Sequence, residues 1–545
     1  MSQHRARRSA TVLAATTAAV LALPLVALAQ PPRATDPVPP LPLGAEDLPE
    51  ARETEQLAPG VTLTRIVRGE TTASYPWTVE VSVPAGSGSP DPDAPPTALR
   101  DRASAEEVAT ELRDAGLDAR AEEVLTEPVA DFAGGSLGWR VRVGSFADRA
   151  AADAARAQVV AAGHRGSTLS TGWDADGDDD RGPWRLDVLT VDPRHFRGEV
   201  AASVGPDVEQ RETTSELAAL SGAIAAVNGG FFVLDPQAGA PGDPAGVSVV
   251  DGELLSEPVG ERPALLLRPD ARRTEVERLG WEGELRAGGT RLPLDGLNRV
   301  PGLVRNCGGL DDLPTSLPLH DVTCTDPDEL VVFTETFAER TPAGQGVEAV
   351  LDRHGRVTEL RDERGGPVPD GGSTVQATGD LVPVLRALAE EGSRLDVRTA
   401  VTGEDGRTVH PSRYPAVVNG GPELVRDGER HVTAATDGMV HPDNPSFYYG
   451  WAHKRNPRTL AGVDDRGRLV LVTADGRSTD ALGLSIPEAA DVAVGLSLRE
   501  ALNLDGGGST AMVAEGRLLT VPSDAAGERP VGDAVLVLPG HPTRP

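Results

Sequence analysis

At 545 residues the chain is long enough for two or three domains with a sizeable core. Its formal net charge of −31, with a pI near 4.7, argues against a nucleic-acid backbone as partner. Apolar residues make up 39% and aromatics 3%, and 61 glycines with 46 prolines point to a folded chain with many turns.

The first residues read as an export signal. Arg5, Arg7 and Arg8 precede an apolar stretch from Ala10 to Leu28 that closes in Ala27-Leu28-Ala29. A basic start, a short apolar core and an A-x-A end describe a signal peptide over 1–29. Thr11, Thr16, Thr17 and Pro24 make a membrane anchor the weaker alternative. The expectation is a secreted protein, extracellular or wall-associated, with no membrane partner after cleavage. Residues 30–69, rich in Pro, Glu and Ala, read as a linker.

A small duplicated unit follows over 70–173. Trp77 to Val83 alternates apolar and polar residues, as a half-buried strand does. Ser104 with Glu107 reads as a capping box, opening a helix whose apolar face is Ala105, Val108, Ala109, Leu112 and Ala115, with Gly116 as its stop. The second half repeats the plan: strand Trp139 to Val143, turn Gly144-Ser145-Phe146-Ala147, and a helix from Asp148 to Ala162. Arg140-Val141-Arg142-Val143-Gly144-Ser145-Phe146-Ala147-Asp148-Arg149 resembles the SPOR (sporulation-related) repeat. That resemblance implies a ferredoxin-like fold and peptidoglycan as partner, although the first half lacks a matching Gly-Ser-Phe. The aspartate-rich run at 174–183 invites a calcium reading, but an EF-hand counted from Asp174 would need Glu where Arg185 stands. It reads as a charged linker.

From Trp184 to the end at 545 the pattern is strand-rich with intervening helices, so the fold class is α+β: a small ferredoxin-like domain, then a larger mixed-sheet domain. Leu186 to Val191 is a predicted strand, Thr214 to Leu220 a helix, and 265–300 and 347–361 carry antiparallel patterns. Ile486 to Leu502 reads as one long helix with Pro487 in its first turn. Cys307 and Cys324 are the only cysteines and, in an exported protein, predict a disulfide closing a local loop. His320 between them does not make a metal set.

Three apolar runs in this domain end alike. Ala223 to Val227 ends in Asn228-Gly229-Gly230-Phe231-Phe232, Ala416 to Val418 in Asn419-Gly420-Gly421, and Ala501 to Leu504 in Asp505-Gly506-Gly507-Gly508-Ser509-Thr510. Each alone is an ordinary turn; three together predict a shared polar site with backbone bare enough for a ligand to approach. Arg455, Arg458 and Thr459 precede the third run. Arginine grips phosphate oxygens in a bidentate way, glycine turns offer N–H groups, and Asp505 is the candidate base, nucleophile or cation stabiliser. Ser509 and Thr510 are candidate sugar contacts. A second carboxylate, if the chemistry needs one, is open among Asp243, Glu423, Asp464 and Asp465; His441 and His453 read as surface or accessory. No zinc motif or Walker loop is visible, so no metal or cofactor is expected.

The Asn228 to Phe232, Arg455-x-Pro457-Arg458-Thr459 and Leu504 to Ser509 motifs, with Gly246 to Glu253 in between, resemble the phosphodiester glycosidase signature over roughly Trp184 to Leu538. The resemblance implies hydrolysis of a sugar-1-phosphodiester such as an N-acetylglucosamine-1-phosphodiester, with Asp505, Arg458 and Asn228 as catalytic residues. It also implies that Gly229, Gly230, Phe231, Phe232, Asn419, Gly420, Arg455, Thr459, Gly506, Gly507, Gly508, Ser509 and Thr510 bind substrate. An ordinary glycoside or exopolysaccharide hydrolase, and a non-catalytic wall-glycan binder, are the alternatives.

Overall fold

The computed structural model describes residues 39–83, 97–176, 180–304, 312–314, 324–441 and 443–540; the predicted signal segment and Cys307 lie outside them. Residues 40–545 form one compact unit of α+β architecture, with the small domain and the larger one packed together.

The duplicated unit is a βαββαβ module. Its antiparallel strands lie in the order Ala119–Thr126, Gly135–Phe146, Trp77–Ser82, Arg165–Ser170, the ferredoxin-like arrangement. Val79, Val81, Val141 and Val143 point to one face and pack under helices Arg102–Asp114 and Arg149–Ala161, against Ala105, Ala109, Leu112, Ala155 and Val159. The first helix starts earlier than the sequence pattern suggests. Asp101 is its N-cap and accepts from Ser104 N at 3.0 Å, so Ser104 and Glu107 form no capping box. The expected turn at Gly144 to Ala147 is strand as far as Phe146, and Gly144 takes φ +69 with the Phe146 ring where a Cβ would stand.

The described parts of both expected linkers belong to the fold. Glu50–Ala58 and Val61–Arg68 make a hairpin that continues through Trp184–Val191 into an eight-stranded antiparallel sheet. The reason is local: Val61 and Leu63 bury on one face of the strand and Ile66 on the other, a pattern hidden behind the Pro- and Glu-rich stretch before it. In the aspartate run, Asp174 is 4% exposed and accepts two hydrogen bonds from Arg142, while Asp180 pairs with Arg455. These aspartates balance buried arginines instead of meeting solvent; residues 177–179 lie outside the described set.

Three sheets meet in the larger part. The eight-stranded one runs on through Leu469–Ala474, Arg458–Asp464, Leu498–Asn503 and Glu423–Arg426 to Glu429–Arg430. A five-stranded sheet centres on Ala225–Asn228, and a third is built around Ala416–Asn419 and Pro263–Leu267. Leu63, Leu189, Val227, Leu265, Val418, Ala461, Leu502 and Val535 fill one core shared by all three. The predicted long helix is two elements. A capping box from Ser485 and Glu488 starts it at Ile486, it stops at Gly495, and Ser497 at φ +62 reverses the chain into strand Leu498–Asn503. Leu498 and Ala501 keep helical spacing, but pairing with Arg458–Asp464 decides their conformation.

Candidate functional site

Each of the three Gly-Gly turns leaves a different sheet, and hydrogen bonds tie their ends together. Asn228 ends a strand of the five-stranded sheet, fully buried. Its Nδ2 donates to the Asp505 carbonyl at 2.8 Å, and its Oδ1 accepts from the Thr459 hydroxyl at 2.6 Å and from Ala511 N at 3.1 Å. Asn419, from the third sheet, clamps the first turn: its Oδ1 accepts from Phe231 N at 2.9 Å and its Nδ2 donates to Phe231 O at 3.2 Å. Asp505 N donates to Gly229 O at 3.1 Å, and Asp505 Oδ1 accepts from Gly506 N at 2.8 Å. Asp505 therefore sits at the junction of two turns with its carboxylate 8% exposed as a residue.

The turns need glycine because their neighbours occupy the space of a side chain. A Cβ on Gly230 would lie 2.5 Å from Asn419 O, and one on Gly229 would lie 2.3 Å from Asp533 Oδ1. Their N–H groups, expected to face a ligand, are already used inside the protein. Gly229 N donates to Asp533 O, Gly230 N to Asp533 Oδ1, Gly420 N to Pro263 O and Gly507 N to Pro457 O. Ser509 Oγ and Thr510 Oγ1 are buried without a hydrogen-bond partner among the described residues.

The two predicted arginines have different fates. Arg455 is engaged within the protein: it pairs with Asp180 and Glu488, donates to Gly172 O and stacks on Trp184. Arg458, 3% exposed, donates only to the main-chain carbonyls of Leu484 and Trp451 and has no carboxylate partner among the described residues. Burial, with the neighbouring Arg477 charge, pulls Arg458 down to about 9. Arg477 was missed by sequence reasoning. It is half-buried, donates Nε to Asn456 Oδ1 at 3.1 Å, and places its guanidinium 3.2 Å from where a Gly507 Cβ would be. Burial lowers its pKa, and Asp524 and Asp505 oppose that shift.

A second missed residue is Asp533, 3% exposed beneath the Asn228 turn. Its Oδ1 accepts from Gly230 N at 2.8 Å, and its Oδ2 is buried with no partner among the described residues. Burial raises its pKa to about 7. The four carboxylates left open by the sequence have these surroundings. Asp464 caps its own turn and pairs with Arg468, Glu423 pairs with Arg426 and Arg278, and Asp465 is exposed beside Arg466. Asp243 is buried near Glu209 and Glu257, with its pKa pushed well up by burial. Phe231 is buried under the Arg262 guanidinium, whereas Phe232 packs in the core with Leu217 and Leu536. His453, expected at the surface, is 7% exposed. Among the described residues no cluster of His, Cys, Asp and Glu could hold a metal ion. Cys324 is buried in a short strand, and its expected partner Cys307 lies outside the described residues.

The Asn-Gly-Gly, Arg-x-Pro-Arg-Thr and Asp-Gly-Gly-Gly-Ser motifs thus converge on one candidate site, and two stretches of the chain are similar to known families. Residues 345–538 match the phosphodiester glycosidase family and residues 97–169 match the SPOR domain. The chain therefore carries a phosphodiester glycosidase domain at 345–538 and a SPOR domain at 97–169.

Its relatives include the N-acetylglucosamine-1-phosphodiester alpha-N-acetylglucosaminidase of Bos taurus, 26% identical over 160 residues, 29% of this chain and 30% of that protein. The Homo sapiens enzyme of the same name is 35% identical over 103 residues, 18% of this chain and 20% of that protein. The chain thus spans less than a third of the length of either relative. Among solved structures, a Burkholderia pseudomallei protein described as exported is 33% identical, with a TM-score of 0.81 over 92% of this chain and 99% of that one. A Synechocystis protein of 16% identity shares the fold, with a TM-score of 0.51 over 90% of this chain and 81% of that one.

Proposed function

We propose that the protein is a secreted, wall-associated hydrolase of sugar-1-phosphodiesters, of the N-acetylglucosamine-1-phosphodiester kind, in cell-envelope glycans. The observation that carries this reading is a pair of neighbouring arginines, Arg458 and Arg477, that form no ion pair among the described residues and share Asp505 as the carboxylate whose charge reaches both. Buried charge left unpaired is costly, so such a pair is built for an anion that arrives with the substrate. A phosphodiester supplies that anion.

The chemistry follows from the leaving group. Breaking the bond from the anomeric carbon to oxygen releases a phosphate monoester, which needs charge neutralisation more than protonation. The two arginines would receive that charge, Arg458 through its fixed planar fork. Asp505 would act on the other side of the anomeric centre, stabilising the electron-poor sugar or activating water. Asn228 holds Asp505 by its main chain and is held in turn by Thr459. The unpartnered Ser509 and Thr510 hydroxyls would bind sugar oxygens.

Wall association is supported by the SPOR match, and export by the sequence at 1–29 and the exported relative. No helix among the described residues is long and apolar enough to cross a membrane. A second reading, ordinary glycoside hydrolysis, is favoured by Asp533, whose raised pKa suits a proton donor to an alkoxide leaving group. The experiment is to incubate purified protein with an alkyl N-acetylglucosamine-1-phosphodiester and with a phosphate-free alkyl glycoside, and to measure free sugar. Turnover confined to the phosphodiester supports the proposal. Turnover of the glycoside that Asp533→Asn abolishes would replace it with the second reading, and turnover of neither would reject hydrolysis of both classes.

A further inference from the structure

The SPOR sheet is covered on both faces at its centre. Its valines pack under the two helices, and the opposite face carries Glu80, Arg140 and Arg142, which are 6%, 7% and 2% exposed. These residues meet the larger part of the molecule through charge-assisted hydrogen bonds. Glu80 Oε2 accepts from the Tyr449 hydroxyl at 2.6 Å and Glu80 Oε1 accepts from Lys454 Nζ at 2.6 Å. Arg142 donates to Glu80 at 3.1 Å and to both oxygens of Asp174, and Arg140 Nη1 donates to the Tyr449 hydroxyl at 3.3 Å. Lys454 Nζ also lies 4.5 Å from the centre of the Tyr449 ring. Burial works against a charged Glu80, but Lys454 and Arg142 outweigh it and hold the carboxyl down at about 2.

The segment held by Glu80 is unusual. Tyr449–His453 forms a single π-helical turn, a local distortion that needs support and often marks a functional position. Its carbonyls aim the two unpaired arginines. Trp451 O accepts from Arg458 Nη2; Gly450 O accepts from Asn456 Nδ2 at 3.0 Å, and Asn456 Oδ1 accepts from Arg477 Nε. Glu80 grips both ends of this turn, at Tyr449 and at Lys454.

We propose that Glu80 of the SPOR module is a positioning residue for the anion site: through Tyr449 and Lys454 it fixes the π-helical turn whose carbonyls orient Arg458 and Arg477. The module is thereby a structural part of the phosphodiester site, in addition to any wall contact made by its helices, loops or strand edges. The inference rests on the phosphodiester reading given above.

The test uses the full-length protein and Glu80→Gln, which keeps shape and removes the charge. Three measurements are made: KM and kcat on the alkyl N-acetylglucosamine-1-phosphodiester, calorimetric affinity for inorganic phosphate, and thermal unfolding. The expected result is a rise of about tenfold in KM, and a matching loss of phosphate affinity, while kcat falls by less. In an Arg458→Lys background the same change should add little, because both act on one interaction. A purely structural role predicts the opposite: equal loss of kcat in step with folded fraction, additive with Arg458→Lys, and would overturn the inference. Tyr449→Phe removes a single hydrogen bond to Glu80 and should shift KM in the same direction by a few-fold. If Glu80→Gln does not fold, an unchanged KM in Tyr449→Phe overturns the inference. Wild-type protein that cleaves the phosphodiester while both variants keep its phosphate affinity also sinks only this inference. Wild-type protein that neither cleaves the phosphodiester nor binds phosphate removes the functional reading and the inference with it.

Discussion

The side-chain amide of Asn228 donates to the main-chain carbonyl of Asp505 at 2.8 Å, joining residues 277 positions apart that end strands of different sheets. The bond turns a strand end into a holder for the candidate catalytic carboxylate. Asn228 is satisfied on both sides, since Thr459 and Ala511 donate to its Oδ1.

Asn228→Ala would leave one buried acceptor and two buried donors unsatisfied. Each such group costs about 1–3 kcal/mol, so the change should lower the unfolding midpoint clearly and loosen Asp505. Asn228→Asp keeps the acceptor for Thr459 and Ala511 but sets an oxygen against the Asp505 carbonyl. Both variants should lose turnover, and differential scanning calorimetry beside initial rates checks the pairing of the two effects. A variant as stable and active as the wild type would show that the contact holds nothing.

Asp505→Asn preserves size and the acceptor for Gly506 N while removing the charge. Turnover of the phosphodiester should fall about a hundredfold or more, the scale of losing a general base or an electrostatic stabiliser, with KM little changed. Steady-state rates on folded protein give the answer. A loss of only a few-fold would move the reacting carboxylate elsewhere.

Arg458 and Arg455 stand three residues apart and should respond differently to lysine. Arg458→Lys keeps charge but loses the planar fork, so affinity for the phosphodiester should drop by tenfold or more with modest effect on stability. Arg455→Lys breaks contacts to Asp180, Glu488 and Gly172 that hold the module's end in place. It leaves two half-buried carboxylates short of partners, at a cost below the roughly 3–5 kcal/mol of a fully buried pair, and should act on thermal stability without changing substrate preference. Unfolding midpoints and KM measured on the two variants should separate cleanly; coincident effects would undo the distinction.

Much of the site was legible because strand ends advertise themselves. Apolar runs closing in Asn228-Gly229-Gly230, Asn419-Gly420-Gly421 and Asp505-Gly506-Gly507 mark where three sheets present backbone at one place. Arg477 follows the same grammar after strand Leu469–Ala474, but Asp475-Gly476-Arg477 lacks the doubled glycine and passes for a plain turn. Asp533 precedes its strand, Ala534–Leu538, so nothing in the local pattern ties it to Gly230, 303 positions away. Pairing of distant strands also decided Leu498–Asn503 against its helical spacing, and drew Glu50–Arg68 out of a stretch that composition assigned to a linker. Long-range register is what a local period cannot carry.

The last prediction concerns pH. Asp533 has its pKa raised by burial from the ordinary 3.8 to about 7, and only the Gly230 N–H opposes that shift. A carboxyl raised in the folded state favours folding in its protonated form. Its contribution is complete below the ordinary value, declines as pH climbs from there to about 7, and is gone above it. The full swing is on the order of 4 kcal/mol for a shift of that size. Asp533→Asn cannot ionise, and its Oδ1 still accepts from Gly230 N. The variant should therefore lose part of the wild type's decline in unfolding temperature between pH 5 and pH 8, and gain on the wild type at the alkaline end. Comparing the two proteins cancels the other buried carboxyls with raised pKa values, among them Asp295 and Asp475. Thermal unfolding at half-unit pH steps is sufficient. Parallel curves would mean that Asp533 is already ionised in the folded protein at pH 5, and that its buried oxygen has a partner the hydrogen-bond geometry does not supply.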